Sequence, residues 1–166
     1  MSARANPQFG LRPYLPSDGK MLAAIFRASI EELTGEDYSA AQQEAWASIA
    51  ENDDEFAGRF ADELTLVATV EGSPVGFIAL DQPEHIDMLY VHPAVARQGV
   101  ASMLIDALEK IATGRGTKRL IADASDTARD FFAKRGYVAQ QRNTVTCGGE
   151  WLGNTTMEKK LGGSAS

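Results

Sequence analysis

The chain alternates between two hydrophobic periods, and each period predicts a different kind of element. Apolar residues three or four positions apart indicate helices, whereas apolar runs rich in β-branched residues and bounded by turn residues indicate strands. Helices are predicted at about 18–33, 39–50, 100–111 and 126–135, with a short helix or tight turn at 53–63. Strands are predicted at about 9–14, 64–70, 75–81, 84–91, 119–124, 137–146 and 151–161.

Turn and capping residues set the boundaries of these elements. The stretch 71–74, Glu-Gly-Ser-Pro, predicts an antiparallel hairpin, and the glycines at 148–149 predict a second one. Hydroxyl and carboxylate side chains that precede helices are expected to cap them. The expected caps are Ser17 or Asp18, Ser39 and Ser125.

The order of elements, β α α β β β α β α β β, combines an antiparallel meander with a β-α-β-α-β segment. This order predicts an α/β (α+β) fold with a single sheet flanked by helices, and it fits neither a doubly wound sheet nor a barrel. We expect one domain over residues 1–161 and a flexible tail at 162–166.

Charge and composition exclude several classes of function. The formal net charge is −7, which argues against nucleic acid as a partner. We expect no membrane span, no signal peptide and a cytoplasmic location. One cysteine and two histidines suggest neither a disulfide nor a metal site. Eleven acidic residues against one arginine between positions 31 and 63 form either solvated helix faces or a negative rim that attracts cations.

The turn before the helix at 100–111 has the chemistry of an anion site. The first amides of a helix have no partner within it and carry the positive end of its dipole. Gly99 lets a phosphate approach the backbone, Ala101 keeps the contact small, and Arg97 and Ser102 add charge and a hydroxyl. The chain has neither a P-loop nor a dinucleotide-binding glycine pattern, so ATP and NAD are not expected.

The stretch 96–101, Ala-Arg-Gln-Gly-Val-Ala, resembles motif A of the GNAT superfamily of acetyl-CoA-dependent N-acetyltransferases, R/Q-x-x-G-x-G/A. Ala96 departs from the leading R/Q of that motif. "LYVHP" at 89–93 and "SDTARDFFAKRGY" at 125–137 are similar to further family segments, and the resemblance extends over 64–161. It implies a GNAT-like, mostly antiparallel sheet of about seven strands that splays between strands four and five.

The resemblance also implies acetyl-CoA as co-substrate, without a metal. The amides of residues 97–102 would hold the pyrophosphate, and the pantetheine arm would bond to the backbone of strand four. The expected cofactor-binding residues are Leu89, Tyr90, Val91, Arg97, Gln98, Gly99, Val100, Ala101, Ser102, Ser125 and Phe131.

Strand alternation predicts that His85, Asp87, Leu89 and Val91 share one face of strand four. Either Asp87 or His85 is therefore a candidate base for the amine proton, while a structural hydrogen bond for Asp87 and a surface position for His85 stay open. The amide of Leu89 is the expected oxyanion donor.

The family often places a tyrosine general acid where this chain has Phe132. Tyr90 and Tyr137 are candidate substitutes, and packing is an alternative role for each of them.

These features predict an N-acetyltransferase that acts on a primary amine of a small molecule or peptide by direct attack in a ternary complex. The acidic segment and Trp46 suggest a cationic acceptor, although Trp46 also suits the core. The alternatives are a non-catalytic acyl-CoA binding or sensing module, which the missing tyrosine favours, and an acidic interaction domain without cofactor. Apolar edges on the last strands are compatible with a homodimer.

Overall fold

The computed structural model describes residues 9–162, and within them the chain forms seven strands and five α-helices around one sheet. The helices are α1 (Gly19–Leu33), α2 (Ala40–Ala47), α3 (Asp53–Gly58), α4 (Val100–Gly114) and α5 (Arg129–Lys134). The strands are β1 (Phe9–Pro13), β2 (Leu64–Val70), β3 (Ser73–Asp81), β4 (His85–Val91), β5 (Arg119–Ser125), β6 (Val138–Cys147) and β7 (Glu150–Lys160). Residues 163–166 of the predicted tail lie outside the described residues.

The sheet has the order β1-β2-β3-β4-β5-β7-β6, and its neighbouring strands are antiparallel except for the parallel pair β4-β5. This arrangement confirms the predicted α/β (α+β) class and the mostly antiparallel sheet. β4 and β5 pair only at His85 with Ile121 and at Ile86 with Ala122. Beyond these two pairs the strands separate, so the predicted splay is confirmed as well.

Two cores form on opposite faces of the sheet. Leu104 and Leu108 of α4 are fully buried on one face together with Ile78 of β3. Phe26 of α1 and Phe56 of α3 are buried on the other face. The predicted apolar stripes of α1 and α4 are therefore the surfaces that attach these helices to the sheet, as expected from the transfer of apolar area out of water.

The predicted helix caps have mixed outcomes. Ser39 caps α2 as expected, because its hydroxyl accepts from the amide of Gln42. The capping role expected of Asp18 is wrong, since its carboxylate accepts from Arg12 and from the amide of Leu15 instead. The Ser17 alternative fails as well, because position 18 is the N-cap of α1 and no side chain caps it.

Two other boundaries also differ from the sequence prediction. Ser125 bonds to the amide of Ala128, but the intervening residues form a turn and α5 begins only at Arg129. The hairpin between β2 and β3 turns on Glu71 and Gly72 alone, both with positive φ, which is the geometry of a tight two-residue hairpin.

We expect Asp18→Asn to destabilise the fold by about 2 kcal/mol at pH 7. The buried Asp18 carboxylate accepts hydrogen bonds from the Arg12 guanidinium and the Leu15 amide, and the substitution removes its negative charge. The Arg12 guanidinium lowers the pKa of Asp18, with the amide of Leu15 acting in the same direction. The stabilisation is therefore present above the ordinary pKa of 3.8 and is lost as the pH falls below it. Urea unfolding of both proteins at pH 7 and pH 3 tests this, and an equal difference at both pH values would contradict it.

None of the helices in residues 9–162 has the length and apolar character that a membrane span requires. At the free edge of the sheet beyond β7, the side chain of Val138 on β6 is 61% exposed. Homodimer formation through this edge stays a prediction.

Candidate active site

A cavity of about 290 Å³ opens where β4 and β5 separate. The cavity is closed on its other sides by the loop before α2, by α2 itself, by α5 and by the β6-β7 hairpin. Its lining includes Tyr38, Trp46, Asp87, Leu89, Tyr90, Asp123, Ser125, Phe132, Cys147 and Asn154. The splay of the sheet therefore makes the cavity, and side chains from both ends of the chain line it.

β4 carries a bulge at Asp87 that changes which residues face the cavity. Met88 lies opposite Ala79 of β3 and Ile86 lies opposite Leu80, so Asp87 is the extra residue without a partner. A bulge of this kind breaks the two-residue alternation of side chains along a strand.

The predicted common face for His85, Asp87, Leu89 and Val91 is therefore wrong. Leu89 and Val91 pack with Ile86 on the α4 side of the sheet. Met88 and Tyr90 pack on the opposite side, with α1 and α3. Asp87 also faces this opposite side, because its carboxylate contacts Arg59 at the end of α3.

Asp87 lines the cavity and is surrounded by charge. The Arg59 Nη2 atom lies 3.4 Å from both carboxylate oxygens of Asp87. Burial, followed by the neighbouring Asp87, raises the pKa of Glu63, which precedes β2 and which sequence reasoning missed. Its position 24 residues earlier in the chain gives no local signal that could have revealed that the two residues are neighbours.

His85, the other candidate base, lies outside the cavity lining. Its Nε2 atom is 3.3 Å from Oδ2 of Asp123, and its side chain is 40% exposed. Oδ1 of Asp123 accepts a 2.7 Å bond from the Thr156 hydroxyl. Asp123 itself lines the cavity, so His85 contacts the cavity wall from outside.

The turn from position 97 to 102 has the free donors that an anion site needs. Within residues 9–162, none of its six amides donates to a backbone carbonyl. Arg97 and Gly99 have positive φ, at 64° and 86°, and residues 97–99 are exposed. Ala101 and Ser102 are half-buried, while the Val100 side chain is buried in the core, so only its amide is available to a ligand. The Gln98 side chain lies 3.5 Å from the Ala94 carbonyl.

The aromatic residues near α5 do not take the positions that the sequence suggested. Phe132 lines the cavity, whereas Phe131 lies outside the lining and stacks with Arg135 at 5.9 Å. Tyr137 is also away from the cavity. Its buried hydroxyl donates a 2.9 Å bond to Glu109, and burial raises its pKa far above the ordinary value.

Neither ring therefore lies where it could reach a thiol that reacts inside the cavity, and contact of Phe131 with acetyl-CoA stays a prediction. In an aromatic helix pair such as 131–132, the sequence alone does not specify which ring faces the cleft, because the helix phase depends on where the helix begins.

The remaining expected cofactor residues divide between the cavity and its surroundings. Leu89, Tyr90 and Ser125 line the cavity, and Val91 lies beyond its lining. The Tyr90 ring packs edge-on against Phe26 at 4.7 Å, and burial raises the pKa of the Tyr90 hydroxyl. Of the two tyrosines expected at the site, Tyr90 is therefore the one that reaches the cavity.

The wall opposite β4 comes from residues that the sequence analysis had not assigned to the site. The Tyr38 hydroxyl donates to the Gly153 carbonyl at 2.6 Å and accepts from the Asp126 amide at 2.9 Å, so it joins the loop before α2 to β7 and to the loop after β5. Cys147 lies 3.4 Å from the Ala45 carbonyl, and burial raises the pKa of its thiol. These contacts depend on β7 inserting between β5 and β6, which strand patterns alone do not predict.

Comparisons with known proteins agree with this arrangement. Residues 34–161 match the family described as "Acetyltransferase (GNAT) domain". A crystal structure of a GCN5-related N-acetyltransferase from Rhodopseudomonas palustris is 58% identical, with a TM-score of 0.90 and coverage of 97% of this chain and 99% of that one. The uncharacterised N-acetyltransferase YafP of Escherichia coli K12 is 36% identical over 150 residues, which are 90% of this chain and 95% of YafP. The peptidyl-lysine N-acetyltransferase YjaB of Salmonella typhimurium is 28% identical over 130 residues, which are 77% of this chain and 82% of YjaB.

Proposed function

This chain belongs to the GNAT family of acetyl-CoA-dependent N-acetyltransferases, and on that premise we propose that it acetylates a primary amine of a small molecule or peptide that arrives as a cation. One observation carries the proposal: a single cavity, opened by the splay of β4 from β5, is lined by a carboxylate that can receive the amine proton, that of Asp87. We place the reaction in the cytoplasm, as the sequence analysis expects.

The residues present fit acetyl-CoA, which supplies the acetyl thioester. Six amides without backbone acceptors, at positions 97–102, suit a pyrophosphate, and the exposed Arg97 adds a positive charge. The edge of β4 that faces β5 has no strand partner beyond Ile86, so its backbone groups are available to an extended amide-containing arm. Val100 would contribute its amide alone.

Asp87 is the base that the geometry favours, because it lines the cavity whereas His85 does not. An alkyl amine with a pKa of about 10 is protonated at neutral pH and must lose a proton before it attacks the thioester. The Leu89 amide, on the same strand, remains our proposed donor to the oxyanion that forms. Direct attack in a ternary complex needs only that the two reactants are aligned, which the cavity walls provide.

The cavity chemistry supports a cationic acceptor. The carboxylates of Asp87 and Asp123 line it together with the rings of Tyr38 and Trp46. Carboxylates attract an ammonium group, and aromatic faces stabilise one through their quadrupoles. Relatives include an enzyme named for peptidyl-lysine, whose acceptor is such a cation at neutral pH.

Calorimetry with acetyl-CoA and measurement of thiol release with a panel of primary amines test the proposed function together. We expect saturable acetyl-CoA binding and release that depends on the amine. Binding without release for every amine would instead favour the non-catalytic acyl-CoA module, for which the one specific observation is a phenylalanine, Phe132, in the cavity where the family often has a tyrosine.

We expect Phe132→Tyr to raise kcat by roughly tenfold, because a hydroxyl at the cavity wall can protonate the departing thiolate, and positioned acids contribute roughly 10²- to 10⁴-fold in optimised sites. Phe131→Tyr is the matched control, since that ring lies outside the cavity lining. Equal rates for both variants and the parent protein would show that the thiolate leaves without an acid from α5.

A further inference from the structure

The charged and the apolar side chains of the cavity lie on different walls. Among the described residues that line it, Asp87 and Asp123 carry the charge, and they lie on β4 and β5 at the splay. The opposite wall comes from α2, the short 3₁₀ helix Ser48–Ala50 and the β6-β7 hairpin, and no charged residue of these elements is in the lining. The cavity is therefore anionic on one side and neutral on the other.

The neutral side carries large apolar side chains that reach the protein surface. Trp46 and Ile49 come from α2 and the helix after it, and Val145 and Leu152 come from the hairpin. Val145 pairs directly with Leu152, so the two side chains project from the same face of the hairpin. Leu152 is buried, whereas Ile49 and Val145 are 39% and 41% exposed. These four side chains, which we call the apolar wall, extend from the cavity interior to solvent.

The acidic residues of the segment around α2 do not add charge to the apolar wall. Glu44 and Glu51 line a separate depression of the surface, together with Arg27 and Asp53. None of these four residues lines the cavity. In the part of the chain that the structure describes, a ligand in the cavity thus meets carboxylates only on β4 and β5.

We propose that the acceptor is a small primary amine with a single positive charge and an apolar body, such as an alkyl chain or an aromatic ring. This inference rests on the proposed function. The ammonium group faces the carboxylates of Asp87 and Asp123, and the apolar body covers the exposed parts of Ile49 and Val145, which removes apolar area from water.

Two further observations favour this class of amine over a polycation or a large acceptor. A second positive charge would rest against the apolar wall, where no carboxylate of the lining receives it, and desolvation of an unpaired charge costs free energy. The cavity volume of about 290 Å³ lies near the lower end of the roughly 300 to 1,000 Å³ that is typical of small-molecule sites.

Matched amines provide the first test. Hexylamine and 1,5-diaminopentane have the same length and differ in one end, a methyl group or a second ammonium. We expect kcat/KM for hexylamine to exceed that for 1,5-diaminopentane by at least about tenfold. It should exceed that for ethylamine by roughly two- to fourfold for each additional methylene group, as burial of a methylene predicts. Equal values for hexylamine and ethylamine, or a higher value for 1,5-diaminopentane, would overturn the proposal.

Substitutions in the apolar wall provide the second test. Ile49→Thr combined with Val145→Thr keeps β-branched side chains at two exposed positions and adds hydroxyl groups to the wall. We expect the ratio of kcat/KM for hexylamine to that for ethylamine to fall by at least about fivefold, while kcat/KM for ethylamine stays close to that of the parent. The matched control is Val138→Thr on the same strand, because Val138 is 61% exposed and lies outside the cavity lining.

The control variant should keep the parent ratio, and all variants should keep the parent affinity for acetyl-CoA by calorimetry, which shows that they are folded. A parent ratio in the double variant would overturn the assignment of the apolar wall.

The same assays separate this inference from the proposed function. No thiol release with any amine would remove both of them. Release without preference between hexylamine and ethylamine would remove the apolar acceptor alone. A higher kcat/KM for a peptide with a blocked N-terminus and one lysine flanked by serines than for hexylamine would also overturn the apolar acceptor, and it would identify a peptide as the substrate.

Discussion

Replacing Gly99 with glutamate is expected to weaken acetyl-CoA binding by at least about 100-fold, because it places a negative charge where the pyrophosphate would sit. Gly99 occupies the N-cap of α4 at φ 86°, in the middle of six amides without backbone acceptors. No atom lies within 4 Å of the position that a Cβ would occupy there, so the side chain would extend into the space that a ligand needs. Calorimetry with acetyl-CoA measures the effect.

The chain offers a matched control at the other end of the same helix. Gly116 follows α4 with φ 84°, and the space that a Cβ would occupy there is equally open, so Gly116→Glu adds the same strain and the same charge away from the site. Gly99→Ala adds strain alone, about 1 kcal/mol, without charge. Equal acetyl-CoA affinity in Gly99→Glu and Gly116→Glu would contradict the assignment of the turn.

Local sequence patterns were sufficient to predict the elements and much of the sheet. The spacing of apolar residues along α4 fits only a helix, and the β-branched apolar runs of β2 and β3 fit only strands. Burial of the apolar side then fixes which face of each element lies against the core. The free amides of the turn at 97–102 were also predictable, because the conformation of Gly99 and the unpaired amides of a helix start are properties of a few consecutive residues. The splay of the sheet came from the family resemblance, whereas the order of its strands was not predicted.

The errors arise where the structure depends on contacts between distant residues. The bulge at Asp87 reverses the faces assigned to Leu89 and Val91, and it depends on how β4 pairs with β3 rather than on the sequence of β4. The predicted cap, Asp18, bonds instead to Arg12 six positions earlier, outside the helix. The local pattern of apolar and polar residues indicates neither the bulge nor the Asp18–Arg12 contact, so the spacing of apolar residues alone could not predict them.

Glu63 illustrates the same limit at the site itself. In the sequence it is one of eleven acidic residues between positions 31 and 63, which were interpreted together as solvated faces or a negative rim. The fold buries one of its oxygens, which has no hydrogen-bond partner within residues 9–162. Its chemistry therefore follows from the pairing of two strands and the end of α3, and the general acidity of the segment does not identify it.

Replacing Asp87 with asparagine is expected to lower kcat by roughly 10²- to 10⁴-fold while acetyl-CoA affinity stays unchanged, because the group that receives the amine proton is lost and the phosphate-binding turn is not altered. The substitution keeps the shape of the side chain in the bulge, and it leaves Arg59 and Glu63 in place. Steady-state thiol release and calorimetry on the same preparations give both quantities.

Asp123→Asn is the control that separates proton transfer from attraction of a cation. It removes one negative charge from the same cavity, and the asparagine oxygen can still accept the bond from the Thr156 hydroxyl. We expect Asp123→Asn to raise KM for a cationic amine and to leave kcat close to that of the parent, because Asp123 lies on β5 across the splay from the Asp87 bulge. Equal losses of kcat in both variants would mean that the cavity charge, and not the Asp87 carboxylate as a base, drives the reaction. A parent-like kcat in Asp87→Asn would transfer the role of base to His85, which contacts Asp123 from outside the cavity at 3.3 Å.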